Sequence, residues 1–160
     1  MNHKVFILII LLSASCTRKD PFYFENGGMK SSRIPLIKPY YAYILNEDIG
    51  QPWDIHNTPL SDGFSPSLMV ATHIDVIIED SIIIAYNGLK HSEYSNEYFP
   101  KWGFFIPNKN VIALFQNEKE FVDSLRFYCS KEIKLRPIND IRKELRDKGF
   151  LEWFPEEYKE

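Results

Sequence analysis

Cysteine is scarce in this chain, with two in 160 residues, which excludes a disulfide-dense scaffold and any all-cysteine zinc site. Glycine is sparse as well, at seven residues, and the pair Gly27-Gly28 is followed by neither a P-loop lysine nor a strand–turn–helix pattern. There is no basic surplus: 19 Lys and Arg stand against 22 Asp and Glu, a net charge of −3. Such a chain has no overall field for a phosphate backbone, so nucleic-acid binding is not expected. No G-x-S-x-G elbow occurs, and no unit of 20–50 residues repeats. What the chain has in quantity is aromatic rings, with 3 Trp, 9 Tyr and 12 Phe making 15% of it. Hydrophobic and charged fractions of 44% and 26% are those of a globular domain.

The N-terminus reads as an address. A weakly basic head, Met1 to Lys4, precedes the apolar run VFILIILL at 5–12 and then Ser13, Ala14, Ser15 and Cys16. Eight residues at ~1.5 Å each fall far short of a ~30 Å hydrocarbon core, so the run is a secretory signal rather than a span. Small residues ending in a cysteine resemble a bacterial lipoprotein signal, although Ser13 stands where that pattern more usually has Leu. The resemblance implies cleavage before Cys16 and acylation of that cysteine, with several chains giving a stable membrane anchor. It also implies that Thr17, not being Asp, lets the protein reach the outer membrane. The expected organisation is then a signal peptide at 1–15, a lipidated cysteine and tether at 16–32, and one domain at 33–160. Within the tether, Phe22, Tyr23 and Phe24 either dock onto the domain or lie at the lipid interface.

Along the mature chain, Arg33 to Asn46 reads as a strand whose Pro35 and Pro39 place it at a sheet edge. Residues 47–66, with Gly50, Pro52, Pro59, Gly63 and Pro66, read mainly as a long loop. Two hairpins follow. Leu68 to Ile78 and Ile82 to Tyr86 flank Glu79-Asp80-Ser81, and Trp102 to Ile106 and Val111 to Phe115 flank Pro107-Asn108-Lys109-Asn110. The polar stretch 87–96 separates them. The apolar period then lengthens from two to about 3.6. Asn117 can cap a helix carrying Phe121, Val122, Leu125, Tyr128 and Cys129 on one face. Pro137 opens a second helix striped by Ile138, Ile141 and Leu145, which Gly149 can end. Strands first and helices last predict an α+β fold, a mainly antiparallel sheet built from hairpins followed by two C-terminal helices. The order of the Tyr-rich strand, IIIAYN, WGFFIPNKNVI and FQNEKEF resembles small bacterial lipoproteins classed as domains of unknown function, a likeness that implies no catalytic residue.

Candidate chemistry is thin. Of the four histidines, His3 lies in the signal, and no two fall at i, i+4. Asp54/His56 and His73/Asp75 are two apart, which gives two ligands at most where zinc needs three or four. Asp54/His56 reads as a solvated loop pair and His73/Asp75 as polar sheet surface. Cys129 sits on an apolar helix face and reads as core. Trp53, Trp102, Trp153, Tyr40, Tyr41 and Tyr43 could form a carbohydrate platform, but core packing accounts for them more simply. No cofactor or metal is expected. One feature is less ordinary: residues 46–99 hold nine carboxylates against Lys90 alone. If Glu47, Asp48, Asp54, Asp62, Glu93 and Glu97 converge, they make an acidic rim suited to a basic protein partner. The chain is thus expected to be a non-enzymatic, lipid-anchored envelope protein with a binding domain. An immunity-type inhibitor of a periplasm-delivered toxin is the alternative, and an envelope hydrolase using scattered carboxylates ranks below both.

Overall fold

The computed structural model describes residues 20–23, 32–44, 52–57, 67–89 and 99–159. Two antiparallel sheets and two helices make up this α+β fold. The first sheet has the order β1-β2-β3-β4, formed by Ser32–Pro35, Tyr41–Ile44, Trp53–His56 and Met69–Ala71. The second has the order β8-β7-β6-β5-β9. Its strands are β5 His73–Ile77, β6 Ile82–Tyr86, β7 Trp102–Ile106, β8 Val111–Phe115 and the two-residue β9 Arg136–Pro137.

Three expectations need correcting. Arg33 to Asn46 is two strands, because the chain reverses at 36–40, where Leu36 N–H donates to Tyr40 O and Tyr40 N–H to Ile37 O. The first of these strands does lie at a sheet edge, as its Pro35 suits, while Pro39 falls in the reversal. The stretch 47–66 is not simply loop, since β3 runs inside it and pairs with both β2 and β4. Only four residues long and set between Pro52 and Pro59, it offers too short an alternation to stand out, yet Trp53 and Ile55 both point into the core. Third, Leu68 to Ile78 is not one strand. The chain breaks at Thr72 and passes from one sheet to the other.

Thr72 makes that corner work. Its N–H donates to Tyr86 O at 2.9 Å and its carbonyl accepts from Ile138 N–H at 3.0 Å. Its hydroxyl oxygen accepts from Gly88 N–H at 2.9 Å. One residue thereby ties both sheets to the start of the second helix.

The second sheet is the middle of three layers. Its inner face, with Ile74, Ile83, Ala85 and Phe105, packs against Ile34, Ala42, Trp53, Ile55 and Met69 of the first sheet. Its outer face, with Ile77, Ile82, Ile84, Phe104 and Ile106, is covered by α1, Glu118–Leu125, through Phe121 and Leu125. A strand with apolar layers on both sides cannot alternate in polarity, which is why β6 reads Ile-Ile-Ile-Ala with all four residues buried. Gly103 of β7 is needed for this packing, because a Cβ there would lie 2.7 Å from the Met69 sulfur. The sandwich core does not extend over β8, and Ile112 and Leu114 on that side remain exposed.

Both helices form where the 3.6-residue period begins them, but the first is shorter than expected: α1 ends at Leu125, so Tyr128 and Cys129 lie in the turn that follows it rather than on the helix. The Asn117 side chain accepts from Lys119 N–H at 2.8 Å, capping α1. Beyond Leu125 the chain tightens, with Phe127 N–H bonded to Ser124 O and Tyr128 N–H to Leu125 O, and this turn packs Cys129 into the same apolar cluster as Phe121 and Leu125. Helix α2, Ile138–Lys148, buries Ile138 and Ile141 and ends at Gly149, whose φ of 80° is the left-handed conformation that favours glycine. Asn139 of α2 accepts a hydrogen bond from Trp53 Nε1 at 3.1 Å, fixing the helix to β3.

Candidate functional site

Two places hold polar or reactive groups in unusual settings. One is the outer face of the first sheet together with the segment at 20–23. The other is the cavity beside Cys129.

Alternation in β1, β2 and β3 puts Arg33, Tyr41, Tyr43, Asp54 and His56 on the face away from the core, where Tyr41 pairs with His56 and Tyr43 with both Arg33 and Asp54. This face is not simply solvated. The Arg33 guanidinium carbon lies 4.4 Å from the Tyr41 ring centre and 4.8 Å from that of Phe22. Tyr41 in turn stacks on His56 at 5.5 Å. An arginine between two rings gains about 0.5–2 kcal/mol per contact, more as water is excluded. Tyr41 and His56 are buried, and burial holds the Tyr41 phenol above its ordinary pKa, with Arg33 pulling the other way. The expected solvated pair at Asp54/His56 is therefore corrected. Both residues belong to a strand, and His56 is enclosed because a neighbouring ring covers it.

The segment at 20–23 borders this face. Asp20 takes one charge-assisted hydrogen bond from Lys38 Nζ at 2.5 Å and a second from Phe22 N–H at 3.0 Å. Those donors, Lys38 first, hold its carboxyl below the usual carboxylate range. Asp20 N–H donates to the Tyr158 hydroxyl. Phe22 is buried, and Tyr23 packs its ring 5.0 Å from Phe154 and 4.8 Å from Tyr158. Of the two expected fates for these aromatics, docking holds for Phe22 and Tyr23. Within the tether expected at 16–32, residues 20–23 are thus docked on the domain. Burying one Phe contributes ~1.5–3 kcal/mol, each aromatic pair to the domain ~0.5–1.5 and each hydrogen bond of Asp20 to the domain ~0.5–1.5, which together are comparable with the cost of ordering four residues at ~1–2 each.

Cys129 borders a cavity of about 220 Å³ that Val122, Leu125 and Ile133 line with apolar atoms and Arg126, Ser130 and Lys131 with polar ones. Both cations already have carboxylate partners, Lys131 with Glu79 at 2.7 Å and Arg126 with Asp123 at 3.4 Å. Burial, more than the nearby Asp80, raises the thiol pKa, and Sγ accepts from Lys131 N–H at 3.3 Å. A protonated, enclosed thiol is a poor nucleophile. The cavity thus offers neither a reactive group nor a free charge.

Of the six residues proposed for an acidic rim, Asp54 alone is described, half-buried on β3 opposite Tyr43. Glu47, Asp48, Asp62, Glu93 and Glu97 lie outside the described residues, as do Cys16, Phe24 and His91. His73 and Asp75 occupy sheet positions as expected. Thr72 Oγ1 lies 2.9 Å from His73 Nδ1, and Asp75 accepts from Lys134 N–H at 2.7 Å. Glu79 and Asp80 sit in the β5–β6 turn. The six rings do not make one platform: Trp53 and Tyr40 are core, Trp102 lies between Tyr86 and Phe121, Trp153 Nε1 donates to Pro35 O, and only Tyr41, itself buried, and Tyr43 share the outer face of the first sheet. Among the described residues, no three His, Cys, Asp or Glu side chains converge as metal ligands would. No family model, curated protein or solved structure matches the chain.

The sequence reading missed Arg33 between its rings and the Asp20–Lys38–Tyr158 contact. The first had a signal, because Arg33 falls opposite a tyrosine-rich run once a strand reversal at 36–40 is allowed. The second had none, since its partners are 138 residues apart.

Proposed function

We propose that the protein is a lipid-anchored component of a bacterial cell envelope whose domain binds a partner without catalysing a reaction. The observation that carries this is the N-terminal sequence, an apolar run of eight residues at 5–12 followed by Ser13-Ala14-Ser15-Cys16. Eight residues cannot span a bilayer, so a chain that remains on a membrane needs another attachment, and acylated Cys16 supplies it. Two acyl chains suffice for stable anchoring where one does not. Support for a binding role comes from the reactive side chains. Cys129 is held protonated, and Asp75 and Glu144 are occupied by hydrogen bonds within the fold. The experiment is Cys16→Ala expressed in a bacterial host. The variant should either leave the membrane fraction or accumulate as an uncleaved precursor. Normal processing together with membrane retention would sink the lipoprotein reading.

A second reading, an immunity-type inhibitor, is favoured by the nine carboxylates against one lysine across 46–99. Such a surface would steer a basic toxin over a Debye length of ~8 Å at physiological salt. Neutralising Glu47, Asp48, Asp54, Asp62, Glu93 and Glu97 should then slow association and flatten its salt dependence without altering the fold. An unchanged association rate with a captured basic partner would remove this reading.

A further inference from the structure

The anchor and the docked segment are very close in the chain. Only Thr17, Arg18 and Lys19 separate Cys16 from Asp20, so four peptide steps join the acylated residue to a group bonded into the domain. Fully extended, those steps reach about 14 Å. Were the chain free as far as β1 at Ser32, sixteen steps would allow about 55 Å. Docking at 20–23 therefore shortens the leash roughly fourfold, in the ratio of the two step counts.

We propose that Asp20–Tyr23 is a clamp that fixes the domain against the lipid surface in one orientation. This rests on the proposed acylation of Cys16. The bilayer then lies on the side of the domain that carries Lys38, Pro39, the turn Glu156–Tyr158 and the outer face of the first sheet, because Asp20 is bonded to Lys38 and Tyr158 and Phe22 packs on Arg33 there. Helix α1 faces away from it. The clamp abuts the first sheet, whose outer face supplies Arg33 to Phe22, whereas α1 covers the far side of the second sheet. Layers about 10 Å apart put that helix some 20 Å further from the anchor.

Charge does not produce the orientation. Near the clamp, Lys38 and Lys159 are both ion-paired within the protein, to Asp20 and Glu156. Glu157 is exposed beside them. Arg18 and Lys19 lie within the four-step link itself, where they can draw the link to anionic lipid without selecting which side of the domain faces it; the short covalent link to a docked segment sets the orientation. Salt should therefore weaken only the attraction of Arg18 and Lys19 to anionic lipid and leave the order of the two faces relative to the bilayer unchanged.

The test uses the full chain processed in cells and reconstituted into phosphatidylethanolamine–phosphatidylglycerol vesicles doped with a headgroup spin-labelled lipid. In a Cys129→Ser background, a fluorophore is placed at Glu157→Cys or at Glu120→Cys on α1, both exposed positions. Strong quenching at position 157 and weak quenching at 120, in an order unchanged by salt, is expected. Replacing Asp20, Phe22 and Tyr23 together by Ala should bring the two sites within about twofold of each other, with the circular dichroism of the domain retained. Intact mass of the same sample reports the acyl chains. Acylated protein with equal quenching at both sites, before any clamp substitution, overturns the clamp and leaves the anchoring reading standing. Protein without acyl chains removes both readings.

Discussion

Replacing Cys129 separates a structural thiol from a functional one. The side chain is only 7% exposed, packs among the residues beneath α1 and accepts a hydrogen bond from Lys131 N–H. Serine keeps an acceptor for that N–H and a donor toward Asp80, at the cost of a shorter reach and a more polar buried atom. Cys129→Ser should therefore destabilise by about 1 kcal/mol, below the 2–3 expected where a buried hydroxyl has no partner. Cys129→Ala removes the acceptor but lets water from the adjoining cavity reach Lys131 N–H, for about 1–2 kcal/mol. Urea unfolding of the three proteins checks the order. Labelling with a bulky maleimide is the second assay. If access needs the turn at 126–131 to open at ~3 kcal/mol, the native chain should react about a hundredfold more slowly than the denatured one. Because the folded thiol pKa is raised, the thiol's contribution to stability is fully present below the ordinary value near 8.5. It is lost as pH climbs through the raised one. Cys129→Ser should abolish that alkaline loss. Native labelling within tenfold of the denatured rate would refute the assignment.

Two further outcomes follow from other contacts. Glu144 accepts from Arg136 at 2.5 Å and from Lys148 at 2.9 Å, and those partners, Arg136 first, hold its carboxyl below the usual range. The stability it contributes is present above the ordinary carboxylate pKa and lost as pH falls, so Glu144→Gln should cost about 1 kcal/mol at neutral pH and less near pH 3, read by thermal melts across pH. Gly103→Ala should destabilise by ~1–3 kcal/mol through the Met69 contact, and Met69→Ala in the same chain should recover part of it; strict additivity in a double-mutant cycle would rule that contact out.

Much of the second sheet was legible in the sequence because its strands are joined by short turns at Ile78–Ser81 and Pro107–Asn110, so that neighbours in sequence are neighbours in space. Asn117, Pro137 and Gly149 marked the ends of the helices by chemistry that is local to each. The first sheet was harder to read. Its strands are three or four residues long, and β3 must be known to lie between β2 and β4 before Trp53 and Ile55 look like core. The break at Thr72 was hidden for a related reason: 68–71 is apolar at every position, so the change of buried phase from Met69 and Ala71 to Ile74 leaves no mark in the pattern, and only long-range bonds to Tyr86 and Ile138 show that the chain has changed sheets. At the candidate site, His56 was misread because its burial comes from Tyr41 on another strand, a contact that spacing within 47–66 does not encode.

The contact between Asp20 and Tyr158 also sets an order of events. Bringing together two groups 138 residues apart in a free chain carries a closure entropy of about 4 kcal/mol, more than one hydrogen bond returns. Once the sandwich has formed, Phe154, Tyr158 and Lys38 already stand side by side, and most of that entropy has been lost in making the core. The N-terminal segment can then settle against a finished surface, with only the ordering of its own four residues, at ~1–2 kcal/mol each, left to offset. It is thus among the last parts of the chain to order and, on unfolding, among the first to leave. A newly made domain would be compact before it is fastened.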